Sequence, residues 1–333
     1  MQKINYPLIV SDFDGTLVKR DGTISEKNKK AIEKYVAAGG KFAISTGRMP
    51  AGILNRAKEL GLKGMLCCCQ GAIVLDIESG NVISEGRISH ETTVKACEKM
   101  EELGLHIHVY DLWEYYVNMD DHHLAYYENA VKVKAQRVLD KPISQFVKET
   151  GLCSYKILGM VEPIDNASVT AALSKYQFDG CEITKSAANL VEIVNTKYSK
   201  GTAVETLAKH YGVPIEKTIG IGDQSNDLPM IRTAGLGVAV KNADSFGNGR
   251  GSLPAGSSFS VPSASIAWYS AMGLGGSAPR MQLRIQSTCA ARVEGGSPCG
   301  PPQWKCQNGP PNPSLLAADE NVANVDIAPP CGK

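Results

Sequence analysis

The sequence has no excess of charge of either sign. Its 333 residues include 35 lysines and arginines and 34 aspartates and glutamates, which gives a net charge of +1. Proteins that bind nucleic acid or anionic membranes electrostatically carry a basic patch or stripe. We therefore expect neither kind of partner. The length is sufficient for two domains of ordinary size.

Long apolar runs are also absent. A membrane-spanning helix needs about 20 mostly apolar residues, whereas the longest uncharged stretch, 251–279, is interrupted throughout by glycine, serine and proline. The apolar run near the N-terminus stops at an aspartate and is too short for a signal peptide. We expect no membrane association and a cytoplasmic location.

The ten cysteines lack the spacing of a metal site or a redox motif, since no Cys-x-x-Cys pair occurs. Cys67, Cys68 and Cys69 are consecutive and lie in an apolar run. We interpret them as buried free thiols, which is typical of a protein kept in a reducing compartment.

Strand and helix patterns alternate along the first 86 residues. Buried strands are predicted at 6–11, 41–46 and 64–69, with helices at 25–38 and 50–60. Residues 71–86 are typical of a hairpin that turns at Ser79-Gly80. This βαβαβ order predicts an α/β fold with a doubly wound, parallel, Rossmann-like sheet.

The pattern changes over 87–186, where strands alternate polar and apolar residues as in a sheet with one wet face. Helices are predicted at 90–103, 121–139 and 164–177, and strands at 105–118, 154–160 and 180–184. Parallel-sheet patterns return at 189–194, 217–223 and 236–240. We therefore predict a core of 1–86 and 187–243 with an α+β cap domain, 87–186, inserted in it.

Residues 244–333 are rich in glycine and proline and follow neither a period of 2 nor one of 3.6. Too little periodic apolar surface is present to offset the entropy of ordering the chain. We predict an irregular, disordered tail and hypothesise that it is an out-of-frame or fused segment.

Four short polar segments follow or adjoin the predicted strands of the core. They are Asp12-Phe13-Asp14-Gly15-Thr16, Ser45-Thr46-Gly47-Arg48, Lys200-Gly201 and Gly222-Asp223-Gln224-Ser225-Asn226-Asp227. Ligands of open α/β sheets bind at the carboxyl ends of the strands, near the point where the strand order reverses. We therefore expect all four segments to meet at one edge of the sheet.

These residue types suit phosphoryl transfer. One carboxylate can attack phosphorus, and a second, two residues on, can act as general acid and then base. The Thr46 hydroxyl and the Lys200 ammonium can hold phosphoryl oxygens. Asp223, Asp12 and the backbone carbonyl of Asp14 offer the hard oxygen ligands that Mg²⁺ prefers.

The motifs DFDGTL, STGR, SKG and GDQSNDLPM, in this order, resemble those of the haloacid dehalogenase-like phosphatases. The inserted domain resembles the α/β cap of the Cof-type subfamily, and the resemblance covers about 1–243. It implies a Mg²⁺-dependent phosphatase that hydrolyses a small phosphomonoester, such as a sugar phosphate or a cofactor-like phosphate, through an aspartyl phosphate.

The resemblance also implies a role for each matching residue. Asp12 would be the nucleophile and Asp14 the general acid and base. The other roles are phosphate binding for Thr46, Gly47 and Lys200, Mg²⁺ binding for Asp12, Asp14 and Asp223, and support of the site for Asn226 and Asp227. The sequence departs from the family at Gln70, where asparagine is usual, and it predicts neither the further strand nor the closing helix that family members have after about residue 243.

Two other functions stay open. A phosphomutase shares the aspartyl-phosphate step but returns the phosphate to its substrate, and a phosphate-binding protein would not turn over at all. Arg48 fits a phosphate contact and an exposed helix-start residue equally well.

Within the cap, we expect solvated histidines rather than a zinc site at His106, His108 and the His122-His123 pair. We expect Trp113, Tyr115 and Tyr116 to pack rather than to line a substrate pocket.

Overall fold

The structure is a computed structural model that describes residues 4–19, 21–240 and 242–243, except the Ser186 side chain, and the backbone of 258–261. The other residues of the predicted tail lie outside this part. Within it the strands are β1 (Leu8–Asp12), β2 (Lys41–Ser45), β3 (Met65–Cys68), β4 (Ile73–Asp76), β5 (Val82–Glu85), β6 (His106–Tyr110), β7 (Tyr115–Val117), β8 (Gln136–Arg137), β9 (Lys156–Met160), β10 (Cys181–Ala187), β11 (Leu190–Asn195), β12 (Thr218–Gly222), β13 (Leu236–Val240) and β14 (Ser258–Val261). The α-helices are α1 (Glu26–Ala37), α2 (Leu54–Glu59), α3 (His90–Glu102), α4 (His122–Val131), α5 (Ile143–Thr150), α6 (Asn166–Leu173), α7 (Lys200–Tyr211) and α8 (Leu228–Thr233).

The first sheet has the strand order β14-β13-β12-β1-β2-β3-β4-β5. β1 pairs in parallel with both β2 and β12, and β3 pairs in parallel with β2, whereas β4 pairs antiparallel with β3 and β5. The chain runs from β1 through α1 to β2 on one side, and β12 joins β1 on the other. The strand order therefore reverses between β1 and β12, which is where such sheets bind ligands.

Apolar residues on β1 and its neighbours pack under α7 and α8 in one buried cluster. Leu8 and Val10 of β1 contact a helix face that includes Val204, Leu207 and Met230, all fully buried. Burying each such side chain contributes about 1.5–3 kcal/mol. The helices cover this sheet, which explains the uninterrupted apolar sequence of β1.

The second sheet has the order β10-β11-β9-β6-β7-β8 and is antiparallel except between β7 and β8. Its apolar face packs against α3 and α5 through side chains such as Met100, Val147, Ile157 and Ile193. This is the α+β insertion that the sequence predicts. The predicted fold class, a Rossmann-like core with an inserted cap, is confirmed.

The chain passes between the sheets at two places that contact each other. Gly86 follows β5, and a Cβ atom there would lie 1.8 Å from the ring of Tyr198, which precedes α7. The Asn195 side chain also donates a hydrogen bond to the carbonyl of Arg87, at 3.0 Å. Only glycine can occupy position 86 with Tyr198 in this place.

Three local predictions are wrong. The strand predicted at 189–194 is β11 (Leu190–Asn195), which pairs antiparallel with β9 and β10 in the second sheet and not with the parallel strands. The helix predicted at 121–139 ends at Val131, because Lys132 adopts a left-handed conformation with φ 58°. A further strand does follow residue 243, since β14 pairs in parallel with β13.

Other local predictions are confirmed. The Ser25 side chain caps α1 by accepting a hydrogen bond from the Asn28 backbone N–H at 3.2 Å. The hairpin β4–β5 turns near Gly80, whose φ of 77° suits glycine. Cys67, Cys68 and Cys69 are buried free thiols.

No helix in the described part of the chain has the length and apolar character needed to cross a membrane.

Candidate active site

The four polar segments meet at one edge of the first sheet. Asp12 is the last residue of β1 and pairs in register with Ser45 at the end of β2, so Thr46 directly follows beside it. Asp223 directly follows β12 on the other side. Lys200 opens α7, whose start is fixed by a capping box between Ser199 and Thr202.

The cavity at this edge has a volume of about 190 Å³. All eight residues that the sequence singled out for the site line it: Asp12, Asp14, Thr46, Gly47, Lys200, Asp223, Asn226 and Asp227. Parallel strands and one helix start thus bring together side chains that are far apart in sequence.

Lys200 joins two of the buried acids. Its Nζ donates hydrogen bonds to Asp12 Oδ1 at 2.7 Å and to Asp227 Oδ1 at 2.6 Å. Burial alone would lower the pKa of Lys200, but these two carboxylates outweigh it and raise that pKa. Burial raises the pKa of Asp12 to about 7, and the attraction of Lys200 opposes the rise. The lysine therefore stabilises a cluster of acids that would otherwise repel one another.

Asp227 organises the loop after β12. Its Oδ2 accepts hydrogen bonds from the backbone N–H groups of Asp223 and Gln224, both at 2.9 Å. Its other oxygen accepts from Lys200. Both oxygens are engaged, so Asp227 holds Lys200 and Asp223 in place.

Asp223 is held by Thr16 and Asn242, two residues to which the sequence assigned no role. Thr16 Oγ1 donates to Asp223 Oδ1 at 2.8 Å, and Asn242 Nδ2 lies 3.4 Å from Oδ2. A Cβ atom on Gly15, whose φ is +87°, would lie 2.5 Å from Asp223 Oδ2. Burial raises the pKa of Asp223. Gly15 is thus the residue that lets the chain approach this carboxylate.

The donor set suits a divalent cation. Carboxylate oxygens of Asp12, Asp223 and Asp227 lie within 4.8 Å of one another. Asp12 Oδ2 is buried and has no hydrogen-bond partner. Asp12 therefore offers an ion an oxygen that no hydrogen bond occupies, beside the carboxylate of Asp223. Hard oxygen donors with room for water are what Mg²⁺ requires.

Arg48 binds Asp14 through both carboxylate oxygens. Nε lies 2.8 Å from Oδ2 and Nη2 lies 2.9 Å from Oδ1. The carboxylate of Asp14 therefore faces Arg48, and Asp14 can contribute to the cation site only through its backbone. The sequence left the role of Arg48 open, and it lies in the cavity wall as a partner of Asp14.

A turn with two left-handed residues lies beside the loop of Thr46 and Gly47. Cys69 and Gln70 have positive φ values of 48° and 60°. Gln70 Oε1 accepts a hydrogen bond from Asn226 Nδ2 at 3.4 Å, and a Cβ atom on Gly47 would lie 2.7 Å from Gln70 Nε2. Gln70, at the position where the sequence departs from the family, therefore links the loops of Gly47 and Asn226.

The second sheet also contributes to the cavity, and the sequence reasoning missed this. Lys156, Leu190 and Glu192 of this sheet line the cavity, together with Tyr127 of α4. The signal was present in the sequence, because Lys156 and Glu192 are charged residues inside strand-like apolar runs.

The histidines of the cap divide into two groups. His106 and His108 are buried, so the prediction that they are solvated is wrong; their strand β6 is buried along its whole length. His122 is exposed, as predicted, and it and His123 lie 3.6 Å from Glu162 Oε1. Tyr115 and Tyr116 pack against His108 and Phe146, and Trp113 is exposed.

Residues 9–245 match the family described as haloacid dehalogenase-like hydrolase. The chain belongs to this family, in its Cof-type branch, and is a phosphoric monoester hydrolase. The Haemophilus influenzae protein named "Putative phosphatase" is 31% identical over 243 residues, 72% of this chain and 88% of its own.

A second relative is the 5-amino-6-(5-phospho-D-ribitylamino)uracil phosphatase YitU of Bacillus subtilis, 25% identical over 238 residues, 71% of this chain and 86% of its own. The crystal structure of TM0651 from Thermotoga maritima superposes with a TM-score of 0.69 at 27% identity and covers 81% of this chain and 98% of that one.

Proposed function

We propose that this enzyme is a Mg²⁺-dependent phosphatase that hydrolyses a small soluble phosphomonoester through an aspartyl phosphate on Asp12. One observation carries the proposal: Asp12 lies in the cavity with one oxygen held by Lys200 and the other buried without a partner. A carboxylate that is oriented by a fixed cation and keeps a free oxygen suits nucleophilic attack.

In the first step, an oxygen of Asp12 forms a bond to phosphorus while the bond from phosphorus to the substrate's ester oxygen breaks. Asp14, in its protonated form, gives its proton to that departing oxygen. In the second step, Asp14 takes a proton from a water molecule that attacks phosphorus, so that phosphate leaves and Asp12 is restored. Using one residue as acid and then as base keeps the protons balanced.

The phosphoryl oxygens need donors throughout. Thr46 Oγ1 accepts a hydrogen bond from the Arg48 N–H and so keeps its own hydrogen to donate. Lys200 has three N–H donors, and two are used by Asp12 and Asp227, which leaves one for a phosphoryl oxygen. Asp12, Asp223 and the Asp14 carbonyl would hold Mg²⁺, which when bound neutralises charge on the phosphoryl group.

We also propose that 87–195 form the cap and that the described residues of 1–86 and 196–243 form the core. We propose this later boundary, in place of the predicted 186/187, because β11 pairs with β9 in the second sheet. Closure of the cap would exclude water other than the attacking molecule. The relative YitU is named for a phosphorylated ribitylamino compound, which supports a small organic phosphomonoester as substrate.

The test is hydrolysis of p-nitrophenyl phosphate with and without Mg²⁺, in the wild type, Asp12→Asn and Asp140→Asn. Asp140 is an exposed acid of the cap and serves as the matched control. We expect metal-dependent release of inorganic phosphate that Asp12→Asn abolishes and Asp140→Asn retains. Equal activity in Asp12→Asn, or activity without metal, would overturn the proposal. Transfer of phosphate between substrate positions without net release would favour a phosphomutase.

A further inference from the structure

The cap places a buried ion pair in the wall of the active-site cavity. Lys156 Nζ lies 3.0 Å from Glu192 Oε1, and the two side chains are 5% and 2% exposed. Lys156 begins β9 and Glu192 lies in β11, where their partners across the pair of strands are Val194 and Leu158. The two are therefore diagonal neighbours on one face of the sheet.

Lys156 and Glu192 do not use all of their hydrogen-bonding groups within the protein. Glu192 Oε2 is buried without a hydrogen-bond partner. Lys156 donates to Glu192 Oε1 and, at 3.3 Å, to the carbonyl of Gly47, which leaves one of its three N–H donors available. A buried polar atom without a partner costs stability, so its presence beside a cavity points to a ligand.

A third polar group lies beside the pair. Tyr110 donates its hydroxyl hydrogen to the Tyr127 oxygen at 2.6 Å, so Tyr127 keeps its own hydrogen to donate. Lys156 Nζ lies 4.8 Å from the centre of the Tyr110 ring, which further fixes the ammonium. Tyr127, Lys156 and Glu192 thus offer two donors and one acceptor toward the cavity.

We propose that Lys156 and Glu192 recognise the leaving group of the substrate, and that this group is an uncharged polyol. One hydroxyl donates to Glu192 Oε2, and a neighbouring hydroxyl accepts from Lys156. This inference rests on the proposed phosphatase function and extends it to the residues that select the substrate.

The opposite charges of Lys156 and Glu192 disfavour charged leaving groups. A second phosphate or a carboxylate at Lys156 would face the Glu192 carboxylate, and an amine at Glu192 would face the Lys156 ammonium, so both carry a like-charge penalty. An aliphatic leaving group would leave Glu192 Oε2 without a partner.

The hydrogen bond from Lys156 to the Gly47 carbonyl also connects the ion pair to the loop of Thr46 and Gly47. Gly47 follows Thr46 in the loop that binds phosphate, so the same ammonium contacts the cap's carboxylate and the core's loop. The group that recognises the leaving group is thereby positioned relative to the phosphate site.

The experiment compares two esters of equal carbon number, erythritol 4-phosphate and n-butyl phosphate, by the ratio of their kcat/KM values. We expect the wild type to favour the polyol ester by about 100-fold or more, because a site built to bind hydroxyls rejects an analogue without them. Glu192→Gln should lower the ratio at least tenfold. Glu128→Gln, which alters another buried, ion-paired carboxylate of the cap outside this cavity, should retain it.

Loss of one charge from a buried pair can destabilise the cap, so the double variant Lys156→Met/Glu192→Leu is measured as well. The ratio within one protein does not depend on the folded fraction, so partial unfolding lowers both rates and leaves the ratio unchanged. An equal fall in both rates for Glu192→Gln and the double variant, or a wild-type ratio near one, would overturn the proposal.

Binding of the two esters to Asp12→Asn, measured by calorimetry with Mg²⁺, separates this inference from the phosphatase function. Tighter binding of erythritol 4-phosphate, lost in Asp12→Asn/Glu192→Gln, supports recognition by Glu192 even if the wild type hydrolyses neither ester. Equal binding of both esters would overturn it even if hydrolysis is observed.

Discussion

Asp14 and Arg48 form a two-pronged ion pair, with 2.8 Å between Nε and Oδ2 and 2.9 Å between Nη2 and Oδ1. In the proposed reaction Asp14 must carry a proton to the ester oxygen, and a carboxylate held in this way is oriented but not free to do so. A phosphate that enters the cavity competes for Arg48 and would release Asp14. We therefore expect Arg48 to couple substrate binding to acid catalysis.

Arg48→Lys tests this coupling. A lysine cannot bind a phosphate with two parallel hydrogen bonds, so substrate would release Asp14 less completely, and we expect kcat to fall about tenfold, equivalent to about 1.4 kcal/mol. The free energy of unfolding should change by less than about 1 kcal/mol, since the side chains are 29% and 49% exposed and such pairs stabilise little. Steady-state kinetics and urea unfolding measure the two effects. Arg56→Lys, in another exposed pair, is the control, and an unchanged kcat in Arg48→Lys would refute the coupling.

Lys200→Met should separate stability from catalysis. Removing the cation leaves Asp12 and Asp227 buried without it, and we expect the free energy of unfolding to fall by about 3–5 kcal/mol without metal. Adding Asp227→Asn should recover part of the stability but no activity. Denaturant unfolding and phosphate release are the measurements. Lys209→Met, at an exposed position of the same helix, should have little effect; restored activity in the double variant would contradict the role of Lys200.

Gly15→Ala should weaken Mg²⁺ binding, because its side chain would displace the Asp223 carboxylate. Its Cβ would lie 2.5 Å from Asp223 Oδ2, whereas a Cβ on Gly39, with φ +99°, would meet nothing within 4 Å. Both alanine variants should lose about 1–2 kcal/mol for the left-handed backbone. Only Gly15→Ala should raise the Mg²⁺ concentration for half-maximal activity, by roughly tenfold as for other residues that orient ligands. Equal Mg²⁺ titrations in the two variants would contradict this.

Stability of the cap should fall in acid because of His108. Burial lowers its pKa well below the ordinary value, and the neighbouring His106, Lys156 and His123 act in the same direction. The folded state keeps His108 neutral while the unfolded chain takes up a proton below about pH 6.5, so its stabilisation is complete above that pH and is lost as the pH falls.

The loss should reach about 2 kcal/mol between pH 6.5 and 5 for a fully neutral buried histidine. Unfolding by urea at pH 8 and pH 5 measures it. His108→Gln should reduce the difference between the two pH values, while His210→Gln, at an exposed position, should not. The same pH dependence in His108→Gln and the wild type would assign the effect to other groups.

The sequence was sufficient to bring the acids of the site together because each follows a strand whose neighbours are fixed by the parallel order. Asp12, Thr46 and Asp223 could be placed from strand ends alone. The assignment of 189–194 to the core failed because a doubly buried strand has the same apolar pattern in either sheet; its glutamate was the available clue, since a charge within a buried strand needs a partner.

Contacts between the sheets were beyond the reach of sequence patterns. The pairing of Lys156 with Glu192, and of Arg48 with Asp14, depends on distances between segments that only the folded chain defines. The segment that leads into β8 had a visible signal, because apolar and polar residues alternate from Val131 to Gln136. A period of two in that segment indicates a strand, where the prediction extended a helix.

The contact between Gly86 and Tyr198 has a consequence for protein engineering. Because the outgoing and returning passages of the chain contact each other, the whole insertion is attached at one spot and could be exchanged for that of a homologue with two adjacent junctions. Such a chimaera would keep the acids of β1 and β12 and acquire a new selectivity. The small side-chain volume at position 86 is the condition that any donor sequence would have to meet.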